Sequence, residues 1–291
     1  MPVARGERRC PVCGGSAIAE TRYRDIAGFD IVRCARCQVL HLSPLPSEQD
    51  LARIYTKEYF CDAAERHGYL DYSRDRQFIA ATYRRRFRRI ARHLPRRDRP
   101  VRFHEIGCAL GFGLEVAARE FGWTVSGSDV SQHGVEHARA LGHPAVRSDP
   151  CGRCILPHEQ PDLVCLFDVI EHLPSVHVFR DWLAAAMAPG ACLALTTMDM
   201  DSAWNRLLGQ RSPSIKVPQH LSYFTRATLT ANLAPSFQLV NASPDFQTVS
   251  GDLLVSRLLH VAGLPSPRFS LLRRLPVVIP NGMNLYVFRR A

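Results

Sequence analysis

Lysine is almost missing from this chain. Of 37 basic residues only Lys57 and Lys216 are lysine, and the other 35 are arginine. The formal net charge of +10 is therefore arginine charge. A basic excess is the electrostatic footprint of nucleic acid or of an anionic membrane. An arginine bias of this kind also follows from a GC-rich genome, so nucleic acid is not the expected partner. No run of 18 uninterrupted apolar residues occurs, which argues against a membrane-spanning helix. The first ten residues, MPVARGERRC, lack the apolar core of a signal peptide, and a cytoplasmic location is the expectation. What remains is an ordinary globular composition, 46% hydrophobic and 22% charged, over 291 residues. That length suffices for one large domain and a small module.

Cysteine is present, ten times, without a secretory signal, and this favours metal or free thiols over disulfides. Cys10-Pro-Val-Cys13 and Cys34-Ala-Arg-Cys37 are two C-x2-C knuckles separated by 20 residues. Each knuckle lets two thiolates converge on one ion, and four thiolates make a closed tetrahedral zinc site. With no open coordination position, the ion should be structural, and a module this small needs it to fold. Strand-like segments at 17–23 and 29–33 are expected to pair as a ribbon between the knuckles. A second pair, Cys151 and Cys154, has no partner pair nearby and is expected to be loop cysteine.

Residues 101–130 carry the central pattern: strand, glycine turn, helix, strand, acid. A strand-like run, Val101 to Ile106, breaks at Gly107, and Gly111 and Gly113 follow. An apolar helical pattern and a second strand then lead to Asp129. Glycines let the backbone turn sharply and approach a ligand, and the helix start favours electronegative groups. An acid at the end of the second strand is placed to accept hydrogen bonds from both ribose hydroxyls. The dinucleotide fingerprint G-x-G-x-x-G does not fit Gly107 to Gly113.

Two later stretches have the same flavour. Residues 161–174 read PDLVCLFDVIEHLP: a buried strand ending at Asp168, then a turn into Glu171 and His172. Residues 220–229 read HLSYFTRATL, with Thr225 as a helix cap. Between them, 181–187 is expected to be helix and 191–197 strand. Segments 237–242 and 284–289 are expected to be the last two strands. Gly251 to Pro280 is apolar and arginine-punctuated, suited to a pocket lid, a dimer contact or an interfacial helix. Ahead of the central strand, 71–94 is a basic helix whose arginines, Arg84 to Arg86 with Arg88 and Arg89, are expected to form a solvated face.

Together these motifs resemble class I S-adenosylmethionine-dependent methyltransferases of a small-molecule group with an N-terminal zinc ribbon. Motif I there is acid-x-G-x-G-x-G, met here by Glu105, Gly107 and Gly111, with Ala109 in place of the middle glycine. D-V-I-E-H-L at 168–173 resembles its motif IV, and H-L-x-x-F-T at 220–225 a further element. Y-x3-Y at Tyr55 and Tyr59 also fits, as pocket or lid residues. The resemblance implies an α/β fold: a seven-stranded, mostly parallel sheet with helices on both faces, plus the ribbon. It implies a ribbon over 1–45, a helical connector over 46–98 and a catalytic domain over 99–291. The implied reaction is methyl transfer to an oxygen, nitrogen or carbon nucleophile of a small molecule. Gly107, Cys108, Ala109 and Gly111 should line the methionine part of the cofactor, with Glu105 near its amino group. Asp129, with Val130 beside it, should take the ribose, Asp149 the adenine side, and Phe167 and Asp168 the pocket edge. For the base, histidine has a suitable pKa. His220, with Tyr223 three residues on, is preferred to His172, which has a scaffolding explanation in its helix-start motif. His220 has a structural alternative too, bonding a loop carbonyl. The competing class is a nucleic-acid-binding ribbon on an inactive or nucleic-acid-directed methyltransferase fold, although the N/D-P-P-Y/F motif of amino-methylating DNA enzymes is absent.

Overall fold

The computed structural model describes residues 9–47, 75–144, 146–148, 160–261 and 270–291. Tyr55, Tyr59, Asp149, Cys151 and Cys154 lie outside them. The main sheet has seven strands: β4 (Arg102–Ile106), β5 (Thr124–Asp129), β6 (Val146–Ser148), β7 (Leu163–Phe167), β8 (Cys192–Met198), β10 (Phe237–Ser250) and β11 (Pro276–Arg290). Their order is β10-β11-β8-β7-β4-β5-β6. The five strands from β8 to β6 run parallel, and β11 is antiparallel to both its neighbours. Strands β7 and β8 are buried along their whole length, as central parallel strands covered on both faces must be.

The period-two alternation splits these strands between two cores. Val164 and Leu166 face one side with Leu193 and Leu195, against α4 (Val176–Ala186) and α6 (Arg226–Leu233). Leu163 and Cys165 face the other, against α1 (Arg76–Ala91), α2 (Phe112–Phe121) and α3 (Gln132–Ala140). Ser131 caps α3 by accepting from Gly134 N, and Thr225 and Thr228 form a reciprocal capping box on α6.

The N-terminal ribbon is β1 (Ile18–Ile26), β2 (Phe29–Cys34) and β3 (Leu40–Ser43). Its sheet gains a fourth strand from the main body, β9 (Ser222–Tyr223), beside β3. A third apolar cluster joins Phe29, Ile31 and Leu42 to Met198, Leu221 and Tyr223. The ribbon is thus sewn to the carboxyl end of β8 through the 220–223 segment.

Some elements exceed what the sequence pattern suggests. Helix α4 begins at Val176 rather than 181, and a short helix, α5 (Ala203–Leu208), lies in the connection after β8. The last two strands are much longer than 237–242 and 284–289. Residues Pro276 to Pro280 belong to β11 and pair with Phe246 to Ser250, so the end of the 251–280 insertion is strand. Its start is α7 (Gly251–Val261). Among the described residues, no helix is long and apolar enough to cross a membrane.

Candidate functional site

The parallel register brings the ends of β4, β5 and β7 to one edge: Ile106 pairs with Ser128 and with Leu166. Ligands in open α/β sheets sit at such carboxyl ends. The turn after β4 has Gly107 at φ +77°, Ala109 at +48° and Gly111 at +83°. The two glycines accept that geometry freely, and a Cβ at Gly111 would meet Ala138 Cβ at 2.7 Å. Ala109 has no such freedom. Its left-handed backbone costs about 1 kcal/mol or more, and its N–H donates to Asp129 Oδ2 at 2.7 Å. The other Asp129 oxygen accepts from Ser131 N at 2.8 Å. Asp129 therefore holds the turn as well as ending β5. Burial pushes its pKa up, and these backbone donors oppose the rise.

Cys108 is buried in the core beneath the turn. Val130, next to Asp129, is 42% exposed. Glu105 lies next to the end of β4, beneath the glycine turn. It is fully buried, its Oε1 accepts from Tyr83 OH at 2.8 Å, and Oε2 has no partner. Burial raises its pKa to about 8, against the pull of Tyr83 and Arg86.

A Cβ on Gly107 would lie 2.5 Å from Val169 Cγ2, so the loop after β7 presses onto the glycine turn. Asp168, which ends that strand, has φ +59° and is held by Thr196, whose hydroxyl donates to Oδ1. A cleft opens here, lined by Gly107, Phe167, Asp168 and Gln247, and by Ile79, Thr82, Tyr83 and Arg86 of α1. Arg86 corrects the expectation of a solvated arginine face. It is 5% exposed, donates to Asp245 Oδ2 at 2.6 and 3.1 Å, and lies 4.7 Å over the Phe167 ring. Burial opposes its charge, but Asp245 and Asp168 more than restore it, and its pKa stands above the ordinary value. Arg85 and Arg89 also reach β10, through Thr248 and Ser243. Only the outer arginines keep to the expectation: Arg84 forms a surface pair with Glu120, and Arg88 is exposed.

Beyond Asp168, a short 3-10 turn (Ile170–His172) presents Glu171 and His172. Leu221 N donates to Glu171 O at 2.8 Å, which brings His220 beside them. The two imidazoles meet edge to face at 4.8 Å. Nδ1 of His172 contacts Gln219 O at 2.9 Å, and Nδ1 of His220 contacts Ser214 O at 2.8 Å. A carbonyl only accepts, so Nδ1 carries the hydrogen in both rings, and in the neutral form Nε2 holds the lone pair. Glu171 Oε2 accepts from Thr197 at 3.0 Å. Burial, then the Asp168 charge, lifts Glu171 to about 8, and burial lowers His172 to about 4. Tyr223, with its ring 6.2 Å from His220, is buried and its pKa is raised beyond the usual phenol range.

At the ribbon, the four cysteines Cys10, Cys13, Cys34 and Cys37 converge. Sγ atoms of Cys10 and Cys37 are 3.6 Å apart, as are those of Cys13 and Cys34. Four sulfurs at 2.3 Å around one tetrahedral ion lie about 3.8 Å apart. The donor set and its spacing fit zinc.

An open, mostly parallel sheet in this strand order, flanked by helices and ending in a glycine turn and an acid at adjacent strands, is a methyltransferase fold. Residues 72–235 match the methyltransferase domain family, and the chain belongs to that family. It is a methyltransferase, and S-adenosylmethionine is the methyl donor this membership supports. No curated protein sequence matches the chain. Among solved structures it is similar to a SAM-dependent methyltransferase from Thermotoga maritima, at 14% identity and TM-score 0.48, over 74% of this chain and 91% of the other. A methyltransferase from Mesorhizobium loti gives 17% identity and TM-score 0.47, over 70% and 97%. The magnesium protoporphyrin IX methyltransferase from Synechocystis, solved with bound SAH, gives 14% and 0.44, over 74% and 83%.

Proposed function

We propose that the chain moves the S-adenosylmethionine methyl group to an oxygen, nitrogen or carbon nucleophile of a small molecule, such as a sugar, lipid or natural-product intermediate. The observation that supports this is a cleft lined by Gly107, Phe167 and Asp168 at the strand ends, with Asp129 bracing the adjoining turn through Ala109 N. In this reading the methionine part lies against Gly107, Ala109 and Gly111, and Asp129 and Val130 face the ribose. Glu105 acts on the cleft through Tyr83. Most of the acceleration comes from holding the nucleophile in line with the sulfonium methyl. The start of the 251–280 insertion, α7, serves as a lid, supported by its following directly on the strand that carries Gln247. The four cysteines hold one structural zinc ion.

Asp129→Ala removes the ribose acceptor and the brace on Ala109. Each charge-assisted bond is worth roughly 1.5–3 kcal/mol, so calorimetry should show S-adenosylmethionine binding at least about tenfold weaker. Unchanged affinity refutes the assignment.

Proton removal from the acceptor is assigned to the cluster around His220. His220→Ala should keep cofactor affinity and lower turnover by roughly 100-fold. Normal turnover in this variant, with loss of activity in His172→Ala, would exchange the two roles.

A further inference from the structure

The Glu171 cluster offers more than an isolated base. We propose that Glu171, His172 and His220 bind a divalent first-row transition-metal ion, separate from the four-cysteine site. One donor atom from each of the three lies within 4.8 Å of the others. Donors sharing one ion stand about 3.3 Å apart, so the three would draw together when the ion binds. Both imidazoles turn Nδ1 to a backbone carbonyl, at Gln219 and at Ser214. Metal-ligating histidines show this outer bond, which fixes the tautomer and aims Nε2 at the ion. Glu171 adds a second, independent observation. Its side chain is fully buried and Oε1 has no hydrogen-bond partner, while Oε2 is held by Thr197. A carboxyl oxygen left so in the interior needs either a proton or a cation, and a cation can take the proton's place.

The backbone fixes the group. His220 N donates to Lys216 O, and Leu221 N to Glu171 O, both at 2.8 Å. Lys216 also faces Glu171 and His172 and opposes a cation, whereas Asp168 favours one. Two nitrogens and one oxygen suit zinc, cobalt, iron or manganese better than calcium or magnesium. Three protein ligands leave positions open for water or an acceptor. Resting on the methyl-transfer reading, such an ion would bind an acceptor hydroxyl or enol oxygen and ease loss of its proton to water, with His172 and His220 then acting as ligands and not as the base.

The test is a Co2+ titration of the full chain with its ribbon zinc in place, followed by visible spectroscopy and calorimetry. One further equivalent should bind with a nitrogen and oxygen spectrum free of thiolate charge transfer. Glu171→Gln, His172→Gln and His220→Gln should each weaken it at least tenfold while retaining wild-type circular dichroism. Paramagnetically shifted imidazole protons in the wild-type protein give the same answer without a substitution. Absence of a second equivalent, a thiolate spectrum, or cobalt binding that survives all three substitutions overturns the proposal. Cofactor affinity measured on the same samples is read separately: its absence beside intact cobalt binding counts against methyl transfer, not against the metal site.

Discussion

Cys34→Ser should release the thiolate-bound metal and unfold the ribbon, and the damage should reach the main body. Metal analysis should show loss of about one equivalent relative to wild type. The reason lies in where the thiols sit. Cys10 and Cys34 are 1% and 0% exposed and share one core cluster with Val39, Phe179 and Phe224. Val176 N, at the start of α4, donates to Pro11 O between the first two cysteines at 2.7 Å. Structural zinc binding contributes on the order of 10–16 kcal/mol to folding in isolated fingers. Here β9 and the shared core supply part of the support, so the expected change is a fall in melting temperature together with protease sensitivity at 9–43. A metal-free protein with wild-type melting and an intact ribbon would refute the zinc assignment.

The ribbon and the parallel sheet were legible because their signals are local. Two C-x2-C pairs need only their own spacing, β7 is an unbroken apolar run between Asp162 and Asp168, and β8 opens on one, Cys192 to Leu195. The glycine turn was legible for the same reason, including the misfit at Ala109, which Asp129 now explains. Less local features were hidden. The length of β10 and β11 depends on their pairing with each other beyond the main sheet, as far as Ser250 with Pro276. The place of Glu105 depends on Tyr83, 22 residues earlier, and the contact of α1 with β10 spans 159 residues at Arg86 and Asp245. One signal for Arg86 was present. Ile79, Tyr83, Arg86 and Ile90 follow helical i, i+4, i+7 and i+11 spacing, and all four are buried. An arginine on the apolar stripe is a buried ion waiting for a partner, which no local pattern could name. The His172 and His220 pair was likewise noticed as two candidates, but their meeting is a product of the Leu221 to Glu171 bond.

Arg86→Met should then be among the most damaging substitutions in the chain, through two separable effects. It removes the nearest guanidinium from Asp245, a carboxylate only 1% exposed. Breaking a buried pair by deleting one partner costs about 3–5 kcal/mol, because the remaining charge stays desolvated. The low end is expected, since Arg89 stands 4.0 Å from the other Asp245 oxygen. The same change strips the cleft of its buried cation and uncovers the Phe167 ring. Cofactor affinity should fall with it, because S-adenosylmethionine carries a carboxylate on its amino-acid end. Adding Asp245→Asn removes the stranded charge, so the double variant should recover a good part of the stability and none of the affinity. Urea unfolding and calorimetry on the two variants check each half. A single variant as stable as wild type would show that Asp245 is held by its other neighbours. Recovery of affinity in the double variant would show that Arg86 serves the α1 to β10 clamp alone.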